Sequence, residues 1–162
     1  MLWQFRIKRQ LGAMLLAVTA FAAANGARGA GAVEMQVEHL LVQSIEEYNQ
    51  AMEAGDPSDW MRYFTDAVQR RSPGSVQNGK KEFAEYYRWE FQTFQAKYVP
   101  QKILVSGRGA AAVFIWDAVH RASGESVKVE MVGVYEMGPS GRIEKVAFYF
   151  DPAAQNKMSG GR

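Results

Sequence analysis

The chain of 162 residues contains no cysteine and has only two histidines. The absence of cysteine excludes disulfides, zinc–thiolate sites, thiol nucleophiles and lipid attachment through sulfur. His39 and His120 lie far apart in the sequence, and neither has an acidic cluster at ligand spacing beside it. The sequence therefore predicts no metal site and no cofactor.

Long runs of one charge are also missing. The 19 Lys and Arg residues and the 17 Asp and Glu residues leave a formal net charge of +2. Beyond residue 32, the longest basic clusters are the pairs Arg70-Arg71 and Lys80-Lys81. Because a nucleic-acid-binding surface needs a concentrated positive patch, no nucleic-acid partner is predicted.

The first 32 residues have the pattern of a secretory signal peptide. Three positive side chains come first, an apolar run follows from Leu11 to Ala24, and small residues continue to Ala32. The apolar run is shorter than the ~20 residues of a membrane-spanning helix, and an uncleaved N-terminal anchor is the alternative. Cleavage is predicted after Ala24 or near Ala32.

Export would change the charge and the bounds of the protein. Residues 1–32 carry four basic residues and no acid, so the remaining chain has a net charge of −2, or −1 if cleavage follows Ala24. We predict a periplasmic or secreted domain over residues 33–152, free of the membrane after cleavage. A flexible tail over residues 153–162 follows it.

The first half of the predicted domain has helical spacing, and its aromatic content argues against disorder. Apolar residues three and four apart from Glu34 to Ala54 predict an amphipathic helix. A second helix is predicted to begin at Asp56-Pro57, because Asp can cap and Pro suits the first turn. A third is predicted from Lys80 to Phe94.

After Pro100 the pattern changes to the alternation of strands. Strands are predicted over Ala111–Arg121, Ser126–Met137 and Arg142–Phe150, with a weaker one over Val99–Val105. A two-residue hairpin loop at Ser123-Gly124 would fix the register of the first two. The predicted partners are His120 with Val127, Ala118 with Val129, Trp116 with Met131, and Phe114 with Gly133.

Helices followed by a meander of strands predict an α+β fold. We expect a cone-shaped, curved antiparallel sheet packed on three N-terminal helices and enclosing a pocket.

Four segments add a resemblance to a known superfamily. They are the first helix with Tyr48 and Glu53–Asp56, then Met61–Ser75, Gly79–Trp89 and Gly141–Pro152. In order and spacing they resemble the nuclear transport factor 2-like superfamily, which contains ketosteroid isomerase and polyketide cyclases. The resemblance extends over nearly the whole predicted domain and implies the same conical fold.

The resemblance also implies where a site would lie. In ketosteroid isomerase an Asp base moves a proton, while a Tyr and a protonated Asp donate hydrogen bonds to the enolate oxygen. The matching Tyr is Tyr48, and Tyr87 matches a supporting phenol. The base position is occupied by Ser72 and the acid position by Gly133, and neither carries a carboxyl. The resemblance thus implies a pocket without ketosteroid isomerase chemistry.

Other residues could supply a relocated site. His120 is either a base on the apolar face of the sheet or a rim histidine near a turn. Asp117 falls on the opposite face, beside Lys128. Strand alternation could aim Arg70 or Arg71 into the pocket mouth, where it would favour an anion, or both could be solvated.

Three functions follow from these patterns. The first is a binding module for a small, mostly apolar molecule. The second is an isomerase, cyclase or dehydratase with catalytic candidates Tyr48 and His120. The third is a dimeric structural or assembly module that pairs two copies through the outer sheet face. The predicted ligand-binding residues are Tyr48, Tyr87, Ser72, Phe114, Trp116, Met131, Gly133 and Phe148.

Overall fold

A computed structural model describes residue 29 and residues 31–154. The predicted leader and its cleavage sites fall largely outside the described residues, as does the tail beyond residue 154. Within the described part of the chain, no helix is long and apolar enough to cross a membrane. The domain bounds and the location of the protein therefore stay predictions.

The first helix, α1, runs through residues 31–54. Its buried side chains repeat every three or four positions, as the sequence predicts, and they face the sheet. Gly55 follows with a φ of 76°, a left-handed conformation that glycine adopts without strain. The buried face of α1 consists of Val37, Leu41, Ser44, Ile45, Tyr48, Ala51 and Met52.

The predicted second helix is wrong beyond its first turn. Asp56 does start a turn, because its Oδ1 accepts the Ser58 backbone N–H at 3.0 Å. Only a 3-10 turn, Trp60–Tyr63, follows before the chain becomes strand β1, Phe64–Ser72. The conformation of β1 is set by its pairing partner rather than by local propensity. That partner is the last strand of the chain, more than seventy residues away.

The remaining elements complete a six-stranded sheet with one further helix. They are β2 (Ser75–Asn78), α2 (Gly79–Thr93), β3 (Phe94–Ser106), β4 (Gly109–His120), β5 (Ser126–Met137) and β6 (Ile143–Phe150), and a short 3-10 turn, Pro152–Ala154, follows β6. The strand order is β2-β1-β6-β5-β4-β3, and all neighbours are antiparallel except β1 and β6. The α+β class and the curved sheet are confirmed, with two α-helices and a 3-10 turn in place of three helices.

The register between β4 and β5 differs by two residues from the predicted one. Trp116 pairs with Val129, and Phe114 pairs with Met131. The reason is a longer loop, closed by the backbone N–H of His120 donating to Glu125 O at 2.9 Å. Because strand side chains alternate with period two, this shift leaves every residue on its predicted face.

The two faces of the sheet have different surroundings. The inner face packs against both helices and forms an aromatic core with Phe83, Tyr87 and Phe91 of α2. Asn49 ties α1 to β3, since its side chain accepts the backbone N–H of Tyr98 at 2.9 Å and donates to its carbonyl at 3.1 Å. The outer face has no covering element among the described residues.

Candidate functional site

The interior of the cone is almost filled by its own side chains. A cavity of about 10 Å³ lies at its centre, which is space for about one water molecule. Its wall is mainly aliphatic and aromatic, but it includes the side chains of four tyrosines, a tryptophan and a serine. The lining residues are Leu41, Ser44, Ile45, Tyr48, Trp60, Phe64, Phe83, Tyr87, Tyr98, Tyr135, Val146 and Phe148.

Tyr48 on α1 is fully hydrogen-bonded within the protein. Its hydroxyl donates to Glu90 Oε1 at 2.5 Å and accepts from Trp116 Nε1 at 3.4 Å. Its ring stacks on Tyr98 with the centroids 4.1 Å apart. Burial, reinforced by the neighbouring Glu90 carboxyl, raises the pKa of Tyr48 well above its ordinary value. The phenol proton is already committed, so Tyr48 has no free donor for a ligand.

Glu90 on α2 is a buried carboxyl that the sequence interpretation missed. Burial raises its pKa, while the hydrogen bond from Tyr48 and the positive charge of Arg70 oppose that rise. The signal was present in the sequence, because Glu90 follows Phe83 by seven positions and Tyr87 by three. That spacing puts a carboxyl in the apolar face of the helix.

A second buried polar pair lies beside Tyr48. Trp60 Nε1 donates to Ser44 Oγ at 3.0 Å, and the Trp60 ring packs edge-on against Tyr48 at 5.2 Å between centroids. Trp60 comes from the 3-10 turn and Ser44 from α1, so the bond fixes the chain as it leaves the first helix. Its donor and acceptor are matched within the core.

Tyr87 on α2 differs from Tyr48 in having no partner for its hydroxyl. It lines the same cavity and is fully buried. Its Oη has no partner at ordinary hydrogen-bond geometry among the described residues, and Arg70 and Tyr98 act on its oxygen only as weak donors, so its own proton has no acceptor. Burial raises the pKa of Tyr87 to about 12, although the positive charge of Arg70 acts to lower it. The phenol therefore stays protonated near neutral pH and offers a free donor.

Arg70 on β1 is the inward member of the Arg70-Arg71 pair. Its side chain is buried, at 4% exposure, whereas Arg71 on the opposite face is exposed. Its Nη1 donates to Ser72 Oγ at 3.1 Å and to Gln77 Oε1 at 2.8 Å. Its Nε has no partner among the residues that the structure describes. An arginine at this position carries its charge at any ordinary pH.

Gly133 on β5 has a structural neighbour that explains its lack of a side chain. A Cβ at this position would lie 2.7 Å from the hydroxyl of Tyr135, closer than real Cβ contacts. Tyr135 lies two residues further along the same strand and lines the cavity. Where the resemblance places an acid, this chain therefore has the phenol of Tyr135.

The predicted site residues are only partly brought together. Tyr48, Tyr87 and Phe148 line the cavity. Phe114, Trp116, Met131 and Gly133 are buried on the inner face behind that wall. Ser72 lies at the end of β1, where its hydroxyl accepts from Arg70. Sequence reasoning missed the wall residues Trp60, Tyr98 and Tyr135, together with Glu90 behind Tyr48.

His120 and Asp117 lie away from the cavity. The His120 ring packs edge-on against Phe94 at 5.3 Å, and its Nδ1 lies 3.2 Å from the Ser123 backbone N. That is the position of a histidine at a turn. Asp117 forms an ion pair with Lys128 at 3.0 Å on the outer face. Within the described ranges, no three His, Asp or Glu side chains are grouped to hold a metal ion.

The SnoaL-like domain model matches residues 45–146 of the chain. The chain belongs to this family. The SnoaL-like family shares the nuclear transport factor 2-like fold, so the superfamily inferred from the sequence is confirmed. No curated protein matches the chain. The SnoaL-like match begins within α1 and spans the 3-10 turn, α2 and most of the sheet, and each of these elements contributes to the cavity wall.

Solved structures with this fold are similar in shape but distant in sequence. One is SalBIII, an epoxide hydrolase/cyclase-like enzyme in pyran ring formation in the polyether salinomycin. It has 16% identity and a TM-score of 0.66, and the match covers 75% of this chain and 95% of that one. A nuclear transport factor 2-like protein of unknown function from Burkholderia pseudomallei has 17% identity and a TM-score of 0.61. The match covers 72% of this chain and 95% of that one. At such identities the likeness shows the SnoaL-like fold alone.

Proposed function

We propose that this SnoaL-like domain binds a small, largely apolar molecule inside the cone. The observation that carries the proposal is the Tyr87 hydroxyl, a buried donor without an acceptor on a mainly apolar wall. Buried polar groups are satisfied in the great majority of native structures. A ligand oxygen that accepts from Tyr87 would satisfy this one. Tyr48 contributes its ring to the wall, because its hydroxyl already donates to Glu90.

Binding requires the cone to open. A cavity of about 10 Å³ admits a water molecule but no larger ligand, so rings on the wall must move apart. Of these, Tyr98 stacks on Tyr48 without joining the Tyr48–Glu90 pair. We expect its ring to move first, because its displacement leaves the hydrogen bond between Tyr48 and Glu90 intact. The ligand would restore the lost apolar contacts.

Native mass spectrometry of the protein purified from its own compartment tests the proposal. We expect a retained small molecule, which then serves as the ligand in calorimetric titrations of the stripped protein. Tyr87→Phe should weaken its binding about fivefold, since one hydrogen bond contributes about 1 kcal/mol. Tyr63→Phe, which changes a half-buried phenol outside the cavity wall, is the matched control. A protein that retains nothing, and whose cavity stays closed to aromatic probes, would contradict the proposal.

An enzymatic function of the isomerase, cyclase or dehydratase type is the second candidate. The observation that favours it is the Glu90 carboxyl, buried and bonded to a phenol on the cavity wall. Carboxyls with raised pKa values cluster at catalytic sites. In this hypothesis Tyr48 relays a proton between substrate and Glu90, and His120 takes no part. Turnover of the retained molecule by the wild type, and its loss in Glu90→Gln, would support the enzymatic hypothesis.

We also propose that two copies pair through the outer sheet face. One cross-strand row on this face extends over all six strands: Leu104, Ala111, Val134, Ala147, Arg71 and Val76. Leu104 is 54% exposed, Val134 40% and Val76 55%, and such a patch marks a contact surface. Light scattering should give a dimer for the wild type and a monomer for Val134→Lys. A monomeric wild type would contradict this proposal.

Export to the periplasm or medium remains a proposal from the leader pattern alone. N-terminal sequencing of the protein from fractionated cells should give a chain that starts near residue 25 or 33. An intact N-terminus on protein in the membrane fraction would favour the anchor instead.

A further inference from the structure

The guanidinium of Arg70 is a buried charge without an opposite charge beside it. Its two hydrogen-bond partners, Ser72 Oγ and Gln77 Oε1, are neutral. The amide of Gln77 is held in this orientation, because its Nε2 donates to Ser75 Oγ at 2.7 Å. Among the described residues, no carboxylate lies within 4 Å of Arg70. A buried charge in this state is costly to the fold unless something else offsets it.

Aromatic rings enclose the guanidinium and connect it to the cavity. Its central carbon lies 3.9 Å from the ring centroid of Tyr86, 5.2 Å from that of Phe148 and 5.7 Å from that of Tyr87. Two of these rings, Phe148 and Tyr87, line the cavity. Arg70 therefore lies directly behind the cavity wall, and a shift of one of those rings would bring it into the wall.

The nearest buried carboxyl does not complete this site. Glu90 feels the charge of Arg70, but its Oε1 is occupied by the Tyr48 hydroxyl. The electrostatic effect of Arg70 on Glu90 therefore acts at a distance, without a direct hydrogen bond. Two donors are left over on neighbouring side chains: Arg70 Nε and Tyr87 Oη.

We propose that the polar end of the ligand is a carboxylate that accepts from Arg70 Nε and from the Tyr87 hydroxyl. This inference rests on the proposed binding function and specifies the ligand class. A carboxylate has two oxygens for two donors and supplies the missing negative charge. A neutral carbonyl would leave the charge of Arg70 uncompensated. A phosphate would bring more charge and more acceptor oxygens than these two donors can satisfy.

The experiment compares acids with amides of the same shape. The probes are benzoic, 2-naphthoic and 2-anthracenecarboxylic acid, each paired with its primary amide and titrated calorimetrically at pH 7.5 against the full chain. For the acid that binds best, we expect an affinity 10- to 100-fold above that of its amide. This range corresponds to a charged hydrogen bond.

Variants assign that preference to Arg70. Arg70→Met should bring the acid down to the affinity of the amide while the amide still binds, and it removes a buried charge without leaving a hole. Arg70→Lys should keep a reduced preference for the acid. Arg71→Met, which removes the neighbouring charge on the outer face, should leave the acid-to-amide ratio unchanged.

The outcomes distinguish failure of the carboxylate assignment from failure of the proposed binding function. Equal affinities of acid and amide for the wild type would overturn the carboxylate assignment and leave the binding function standing. A preference for the acid that persists in Arg70→Met would also overturn the assignment to Arg70. If neither acids nor amides bind at millimolar concentration, the binding function itself fails. The wild-type ratio decides the ligand class even if a variant does not fold.

Discussion

The core of this SnoaL-like domain has two polar regions that differ in how they are satisfied. Around Tyr48, every polar group has a partner: the phenol donates to Glu90 and accepts from Trp116, and Trp60 donates to Ser44. Around Tyr87, the phenol and Arg70 Nε have no partner at ordinary hydrogen-bond geometry among the described residues. Both regions touch one small cavity.

This difference separates residues that hold the fold from residues that remain available to a ligand. A satisfied buried network stabilises one arrangement of the core, because removing either member leaves the other unpaired. An unsatisfied group stabilises nothing in the free protein and can gain a partner on binding. Tyr48 and Tyr87, with the same side chain on the same wall, thus have opposite expected effects when mutated.

The largest effect is expected for Tyr48→Phe. Loss of the Tyr48 hydroxyl leaves the Glu90 carboxyl without its donor and Trp116 Nε1 without its acceptor, both inside the core. We expect the free energy of unfolding to fall by about 3 kcal/mol, measured by urea denaturation at pH 7. A change below about 0.5 kcal/mol would mean that the Tyr48 region is no better satisfied than the Tyr87 region.

Ser44→Ala should have an intermediate effect. The substitution removes the acceptor of the buried Trp60 Nε1–H and little volume, so the unpaired donor dominates the cost. We expect a loss of about 1.5 kcal/mol in the same assay. Ser58→Ala, at an exposed turn, serves as the control. A Ser44→Ala variant as stable as this control would indicate that another acceptor reaches Trp60.

Glu90→Gln should change the pH dependence of the unfolding free energy more than its value at any one pH. Burial raises the pKa of Glu90 above its ordinary value, so the folded state holds this proton more tightly than the unfolded state. The stability that Glu90 contributes is therefore full below the ordinary carboxyl pKa and is lost as the pH rises through its higher folded pKa.

Gln keeps an acceptor for Tyr48 and removes this titration. The unfolding free energy of the variant, measured from pH 4 to pH 8, should lack the decline that Glu90 causes in the wild type. Parallel curves for the two proteins would show that Glu90 titrates alike in the folded and unfolded states.

The smallest effect is expected for Tyr87→Phe in the absence of ligand. The hydroxyl is buried without a partner, so its removal should raise the free energy of unfolding by about 0.5 kcal/mol. A loss above about 1 kcal/mol would show that the hydroxyl is already bonded in the free protein. The polar groups around Tyr87 would then be as fully hydrogen-bonded as those around Tyr48.

Local sequence patterns determined the parts of this fold that repeat over short distances. The spacing of Leu41, Ile45 and Tyr48 predicted α1, and alternation from Ala111 to Met137 predicted β4 and β5 with the correct faces. These signals survive because each follows from the period of one helix or strand. A register error of two residues did no harm to the assignment of faces.

The conformation of Phe64–Ser72 depended on a distant partner. Asp56-Pro57 carries a helix-start signal, yet the segment that follows is a strand because β6 supplies its hydrogen bonds. No local sequence pattern predicts the parallel pairing of β1 with the distant strand β6. The same pairing turns Arg70 inward and Arg71 outward, a choice that the sequence interpretation left open.

The sequence by itself determined the α+β class, the superfamily and the buried position of Tyr48 and Tyr87. These follow from side-chain periodicity and from the order of short motifs. Only the tertiary structure decided that Glu90 accepts the hydrogen bond of Tyr48, that Tyr135 fills the space above Gly133, and that Arg70 lies behind the cavity without a carboxylate beside it. The physical reason is that hydrogen bonding and charge pairing depend on distances of a few ångströms between side chains from different elements, and packing alone sets those distances.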